Sequence, residues 1–184
     1  MQETTEDVLI DALNVILEKK PIDKITVKDI VSECNLTRQT FYNHFSDIYG
    51  LVEYYAKENA NELLGSFSDY DTWQKVFYAV MSAMRAHKSI IQNVYQSVYR
   101  DLMEKYIYKV IYSYIIDVVE KKAEGMVVDQ KHKDFIAHFY SLAFIALILE
   151  WIMDNMRADP QEIVDQTGVL VHGDFKKALK KYAK

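Results

Sequence analysis

The chain has 184 residues, half of them hydrophobic and 27% charged, with a formal charge of −5, values that belong to globular proteins and exclude a disordered tail. Five Gly and two Pro are too few for the turn every ~8–12 residues that a β-sandwich or barrel needs, so an all-α fold is expected. The single cysteine, Cys34, excludes an internal disulfide framework and a Cys-based zinc site.

The N-terminus, MQETTEDVLI, opens acidic and lacks the basic start and small-residue cleavage site of a signal peptide, which predicts a cytoplasmic protein. Val8, Leu9, Ala12, Leu13, Ile16 and Leu17 recur at intervals of three and four, the pattern of an amphipathic helix. It should end near Pro21, which biases the preceding residue away from helical angles. Thr26 can cap a short helix in which Val27, Ile30 and Val31 face one way. Asn35 should end it, because Asn tolerates left-handed angles better than any residue but Gly. Thr37 can cap a further helix, Arg38 to Phe45, and Asp47 a longer one, Ile48 to about Leu64. Long helical patterns follow: Tyr70 to Ala86, Ser89 to about Tyr99, Asp101 to Glu124 and Lys131 to Arg157. Asp159-Pro160 is a strong restart signal for a last helix over roughly Gln161 to Tyr182, which Gly168 and Gly173 weaken. About nine helices are expected in total. The most apolar stretch, Phe139 to Met153, is shorter than the roughly 20 residues of a membrane span and is expected to be a buried helix.

Two short helices joined by a three- or four-residue turn match the spacing of a helix-turn-helix, whose second helix enters the major groove of DNA. On that second helix Phe41 and Phe45 form an inner stripe with Leu36 from the turn, able to pack on Val27, Ile30 and Val31. The outer face carries Arg38, Gln39, Thr40, Tyr42, Asn43 and His44. By pattern alone it fits an ordinary solvated face equally well.

The run Ile25-Thr26-Val27-Lys28-Asp29-Ile30-Val31-Ser32-Glu33-Cys34-Asn35-Leu36-Thr37-Arg38-Gln39-Thr40-Phe41-Tyr42-Asn43-His44-Phe45 closely resembles the N-terminal DNA-binding signature of the TetR/AcrR transcriptional regulators. The likeness covers about residues 5–64, and aromatic-Tyr-x-His-Phe is its most distinctive element. The rest resembles the family in helix count and length, and the tail is similar to the branch containing the dihydroxyacetone-kinase regulator. The resemblance implies a three-helix DNA-binding domain over residues 1–47. It further implies a helical effector-binding and dimerisation domain over 48–184, with 48–64 as connector and transmitter. It also implies that Arg38, Gln39, Thr40, Tyr42 and Asn43 face the major groove, where Arg can be bidentate to guanine and Gln or Asn to adenine. Thr26, Lys28, Tyr42 and His44 match positions near the DNA backbone, which set register rather than sequence. Two departures stand out. Asn35 replaces the usual Gly, and Ile48 stands where a backbone-contacting Lys is common.

Between Lys19 and Phe45 five cations (Lys19, Lys20, Lys24, Lys28, Arg38) face three anions (Asp23, Asp29, Glu33), a net +2 that leaves −7 elsewhere. Such a thin basic footprint implies that a homodimer must read two half-sites of a palindromic operator, spaced by about one DNA turn, ~34–36 Å, or more. The segment Phe135 to Met153 is apolar on nearly all sides, so one face needs a cover beyond the domain core. A central helix in a monomer would satisfy this, and so would the four-helix dimer bundle, built from the last two long helices, that the resemblance implies. Met81, Met84, Tyr95, Tyr99, Tyr108, Tyr112 and Tyr140 are candidate lining for a small-molecule effector or protein co-regulator, though the same residues at helical spacing make an ordinary core. His87, His132, His138 and His172 are dispersed, so no metal is expected. Lys176, Lys177, Lys180, Lys181 and Lys184 read as a solvated face. No nucleophile elbow, HExxH pair or phosphate loop supports an enzyme or a cofactor. The remaining competitor is a helical interaction module that keeps the helix-turn-helix only as scaffold.

Overall fold

The side chains expected to cap helices do so. In a computed structural model describing residues 4–66, 72–171 and 174–183, α1 (Thr5–Leu17) is followed by a 3₁₀ turn (Ile22–Lys24), α2 (Val27–Glu33), α3 (Arg38–His44) and α4 (Ile48–Gly65). Thr26 closes a capping box with Asp29: the Asp29 N–H donates to Thr26 Oγ1 at 3.2 Å, and the Thr26 N–H donates to Asp29 Oδ2 at 2.8 Å. Thr37 accepts from the Thr40 N–H at 3.0 Å, and Asp47 from the Gly50 N–H at 2.8 Å. These bonds satisfy donors that a helix start otherwise leaves unpaired. Asn35 takes φ 56°, and Leu36 N–H bonds back to Val31 C=O at 2.9 Å, the six-to-one closure of a helix that ends in a left-handed residue.

The remaining helices are α5 (Trp73–Ala86), α6 (Lys88–Tyr95), α7 (Arg100–Lys122), α8 (Gln130–Met153), α9 (Pro160–Val171) and α10 (Asp174–Tyr182). There are thus ten helical segments and no strand among the described residues, and the fold is all-α as expected. The described parts of the expected last helix are α9 and α10; His172 and Gly173 lie outside the described residues. Helix α6 ends four residues short of Tyr99, because Ser97 Oγ donates to Val94 C=O at 2.7 Å and accepts from Tyr99 N–H at 3.1 Å, a local alternative to continuing the helix. Helix α8 stops at Met153 instead of Arg157. Asn155 and Met156 both have positive φ, and Met156 N–H closes on Trp151 C=O at 2.8 Å.

Two compact units are present. One comprises Met1–Asn59 with His87–Glu104, the other Ala60–Ala86 with Lys105–Lys184. In the first, Leu9, Leu13, Ile30, Val31, Phe41, Phe45 and Leu51 are buried, α1 packs on α2 and α6, and α2 packs on α3. Val27 and Leu36 are half-buried at the edge of this core. Asn93 of α6 ties it to the end of α1. Its Oδ1 accepts from Ile22 N–H at 2.8 Å, and its Nδ2 donates to the Leu17 and Lys20 carbonyls at 3.0 Å each.

In the second unit α5 packs on α9 and α8 on α10. Trp73 and Phe77 stack on Phe144 at 5.1 and 4.9 Å between ring centroids. Helix α8 extends further toward the N-terminus than its apolar stretch. It has 24 residues, and an 18-residue window within it reaches a mean hydropathy of 1.9, so it is long and apolar enough to cross a membrane by length and composition. Eight of its residues, from Ile136 to Ile152, are instead buried in the unit's own packing.

Candidate nucleic-acid interface

Helix α3 offers one face to the core and the other to solvent. Phe41 is fully buried and Phe45 nearly so, and their rings lie 5.9 Å apart. With that face anchored, Arg38, Gln39, Tyr42, Asn43 and His44 are exposed and Thr40 is half-exposed. The residues expected to read bases are therefore brought together on one solvent-facing surface.

Their surroundings differ. Arg38 and Lys28 are exposed and form no ion pair among the described residues, so both cations are free to meet an anion. Gln39 Nε2 donates to Asn43 Oδ1 at 3.0 Å. The Thr40 hydroxyl shares a hydrogen bond with that of Thr37 at 2.8 Å, which leaves the Thr40 methyl as its apolar contact. Tyr42 is 53% exposed, and its ring meets Phe41 edge-on at 5.6 Å.

Two residues expected near the DNA backbone are already engaged. The Thr26 hydroxyl donates to Asp29 Oδ2 at 2.7 Å, and His44 Nδ1 lies 2.9 Å from Glu6 Oε1. This second contact joins the end of α3 to the start of α1. The Glu6 carboxyl is held below its ordinary range, first by a backbone hydrogen bond and then by His44.

The basic footprint is thinner than the charge count suggests. Lys20 Nζ sits 2.7 Å from Asp29 Oδ2, and with the Thr26 bonds this lowers the Asp29 carboxyl to about 2. Lys20 thus braces the helix-turn-helix, and the free cations of the segment are Lys19, Lys24, Lys28 and Arg38. Sequence reasoning missed the Lys20–Asp29 bridge, the Asn93 clamp and the Glu6–His44 contact. It also missed a capping box at Thr4–Asp7, although its Thr-x-x-Asp spacing was visible.

The aromatic residues expected to line an effector pocket fall in both units. Tyr95 and Tyr99 belong to the first. Arg100 sits 4.4 Å over the Tyr95 ring, and Tyr99 stacks on Tyr49 at 5.9 Å. Met84, Tyr112 and Tyr140 belong to the second, with Tyr112 stacked on Tyr108 at 5.5 Å and Tyr140 4.4 Å from Phe175. Met81 and Met84 are buried core.

Known proteins agree with this arrangement. Residues 9–55 match the family described as "Bacterial regulatory proteins, tetR family", and residues 71–173 match "Transcriptional regulator C-terminal region". The HTH-type dhaKLM operon transcriptional activator DhaS of Lactococcus lactis subsp. lactis is 24% identical over 90 residues, which span 49% of this chain and 48% of that relative. The match thus covers about half the length of either protein. Among solved structures, the dihydroxyacetone kinase operon activator DhaS superposes with a TM-score of 0.73 at 19% identity, covering 98% of each chain. The fatty acid degradation regulator FadR from Bacillus halodurans gives 0.63 at 12% identity, over 93% of this chain and 96% of that one. The TetR family repressor AlkX from Dietzia gives 0.57 at 15% identity, over 97% and 99%. At such identities the superpositions establish a common fold. Matched in both its helix-turn-helix segment and more than half its length beyond, the chain belongs to the TetR family of bacterial transcriptional regulators, not to an enzyme family.

Proposed function

We propose that the chain binds a palindromic operator as a homodimer, and that a small-molecule effector or a protein partner at residues 48–184 controls its operator affinity. The observation that carries this reading is the face of α3: free Arg38 with Gln39, Thr40, Tyr42 and Asn43 on a helix whose other side is anchored by Phe41. Arg38 can take guanine O6 and N7, and the Thr40 methyl suits thymine. Lys28 neutralises phosphate and sets register. His44 and Thr26 support the reading less directly, since each must leave a carboxylate to reach a phosphate. Residues 1–47 hold these groups and serve as the DNA-binding domain, in the cytoplasm where the operator is.

The dimer is supported by an apolar stripe. Phe135, Phe139, Leu142 and Ala146 follow one another on the exposed side of α8, with Met153 beyond the exposed Glu150, and Phe135 is 60% and Phe139 57% exposed. On α9 Val169 and Leu170 are about four-fifths exposed. Contiguous exposed apolar surface of this kind marks an interaction face, and a second copy burying α8 and α9 in a four-helix arrangement covers it. For an effector, Met84, Tyr112 and Tyr140 share one unit and remain the lining candidates, whereas Tyr95 and Tyr99 belong to the other unit.

Control then follows from differential binding. An effector that prefers one spacing of the two α3 helices lowers or raises operator affinity by the same factor with which DNA alters effector affinity. Helix α4, whose residues belong to both units, is the proposed transmitter. Likeness to an activator is reason to assay activation as well as repression.

The test is selection of genomic fragments with the purified protein, followed by binding to the best fragment and a scrambled control at several salt concentrations. Enrichment of a short inverted repeat is the expected result. Equal, salt-labile binding to both fragments overturns specific recognition and favours an interaction module.

A further inference from the structure

Building on the DNA-binding reading above, we infer that Gln39 and Asn43 read DNA as one coupled unit rather than as two independent amides. The two lie one helical turn apart on the exposed face of α3. The bond from Gln39 Nε2 to Asn43 Oδ1, 3.0 Å long, occupies one of the two acceptor positions of the Asn43 oxygen. A lone Asn or Gln recognises adenine by using its own oxygen and nitrogen together, the oxygen accepting from N6–H and the nitrogen donating to N7. On Asn43 that oxygen is already shared with Gln39, so the groups it offers unshared are the two N–H groups of Nδ2, whereas Gln39 offers its Oε1 acceptor and one remaining N–H.

The consequence is a division of labour. Asn43 faces an edge rich in acceptors, the N7 and O6 of guanine or the N7 of adenine. Gln39 Oε1 faces a donor, adenine N6–H or cytosine N4–H. Neither amide has a second side-chain partner among the described residues. The Thr40 hydroxyl, which lies between them in sequence, is held by Thr37 at 2.8 Å, and Arg38 has no acceptor to offer. Because the bond forms before DNA arrives, both side chains lose rotamer freedom in advance, which lowers the ordering cost of docking. Removing either member also frees the other to rotate, so each substitution reaches the base pair of its partner.

The experiment is selection from a random duplex library with wild type, Gln39→Ala, Asn43→Ala, the double variant and Asn43→Asp, with thermal melting to confirm that each exposed-site variant folds as wild type does. Either alanine variant should relax the same two base pairs of each half-site, by about 5- to 150-fold in preference. The double variant should lose no more than about 2-fold beyond either single, since residues in one hydrogen-bonded network are non-additive. Asn43→Asp keeps an acceptor for Gln39 Nε2 but turns an acceptor outward, so the preference at its position should move from purine to cytosine. Alanine variants that relax two separate positions, with a double variant showing the product of the two losses, overturn the coupled pair and leave the operator-binding reading intact. A wild type that enriches no motif overturns both.

Discussion

Replacing Asn93 with Ala tests whether α6 holds the end of α1 and the approach to the helix-turn-helix. The substitution removes three hydrogen bonds at once, to the Ile22 N–H and to the Leu17 and Lys20 carbonyls. Ile22 and Leu17 are buried. At about 1 kcal/mol net per bond the loss is about 3 kcal/mol if nothing replaces the side chain. Asn93 itself is only half-buried, so water can re-satisfy part of the site, leaving about 2 kcal/mol. For a chain of this size that corresponds to a fall in Tm of about 4–8 °C. Urea denaturation should show a lower midpoint with an unchanged slope, and the Ile22 amide should exchange faster in hydrogen-exchange measurements. Asn93→Asp sharpens the test. It keeps an acceptor for Ile22 but sets a carboxylate against two carbonyl oxygens, so it should be at least as destabilising as Ala. An alanine variant within about 0.5 kcal/mol of wild type, or an aspartate variant as stable as wild type, would refute the clamp.

Arg38→Ala should cost about 1–3 kcal/mol on the preferred fragment and relax specificity there, whereas Lys28→Ala should weaken all sequences alike and reduce the salt slope by about 1; equal losses on specific and random DNA for Arg38→Ala would remove its base-reading role. If the exposed stripe of α8 is the proposed dimer interface, Phe139→Glu on that stripe should sediment as a monomer where wild type sediments as a dimer and should abolish inverted-repeat binding, and an unchanged sedimentation coefficient would exclude that face. Asn35→Val, at φ 56°, should destabilise by about 1–2 kcal/mol, with Asn35→Gly close to wild type, both read by thermal melting. Asp29, lowered from 3.8 to about 2, stabilises the fold fully above its unfolded value and loses that contribution as pH falls through the folded one. The Tm gap between wild type and Asp29→Asn should therefore be constant near neutrality and close between 3.8 and about 2; a gap that persists below this window would contradict the charged capping box.

Helix starts and stops were legible because they depend on groups a few residues apart. Thr26 with Asp29, Thr37 with Thr40 and Asp47 with Gly50 are all three-residue closures, and Asn35 ends α2 by its own backbone preference. The outward turn of Gln39 and Asn43 also followed from spacing, since Phe41 and Phe45 turn inward together; Arg38, three residues before Phe41, shares their stripe by spacing, and its exposure was decided by the packing at the start of α3. The run of residues 25–45 carried the family likeness for the same reason: it is a local motif whose chemistry is written in order.

What packing decided lies further apart. Asn93 bonds to groups 71 to 76 residues away, and His44 meets Glu6 across 38; no periodicity encodes such pairs, because they exist only once helices are stacked. Tertiary structure likewise placed His87–Glu104 with the N-terminal unit, which separated Tyr95 and Tyr99 from the other expected pocket residues. It also selected which side of the uniformly apolar α8 faces its own core. A sequence hydrophobic all round fixes no buried face by itself, and only the neighbours that arrive at Ile136, Phe144 and Ile148 leave Phe135, Phe139 and Leu142 to solvent.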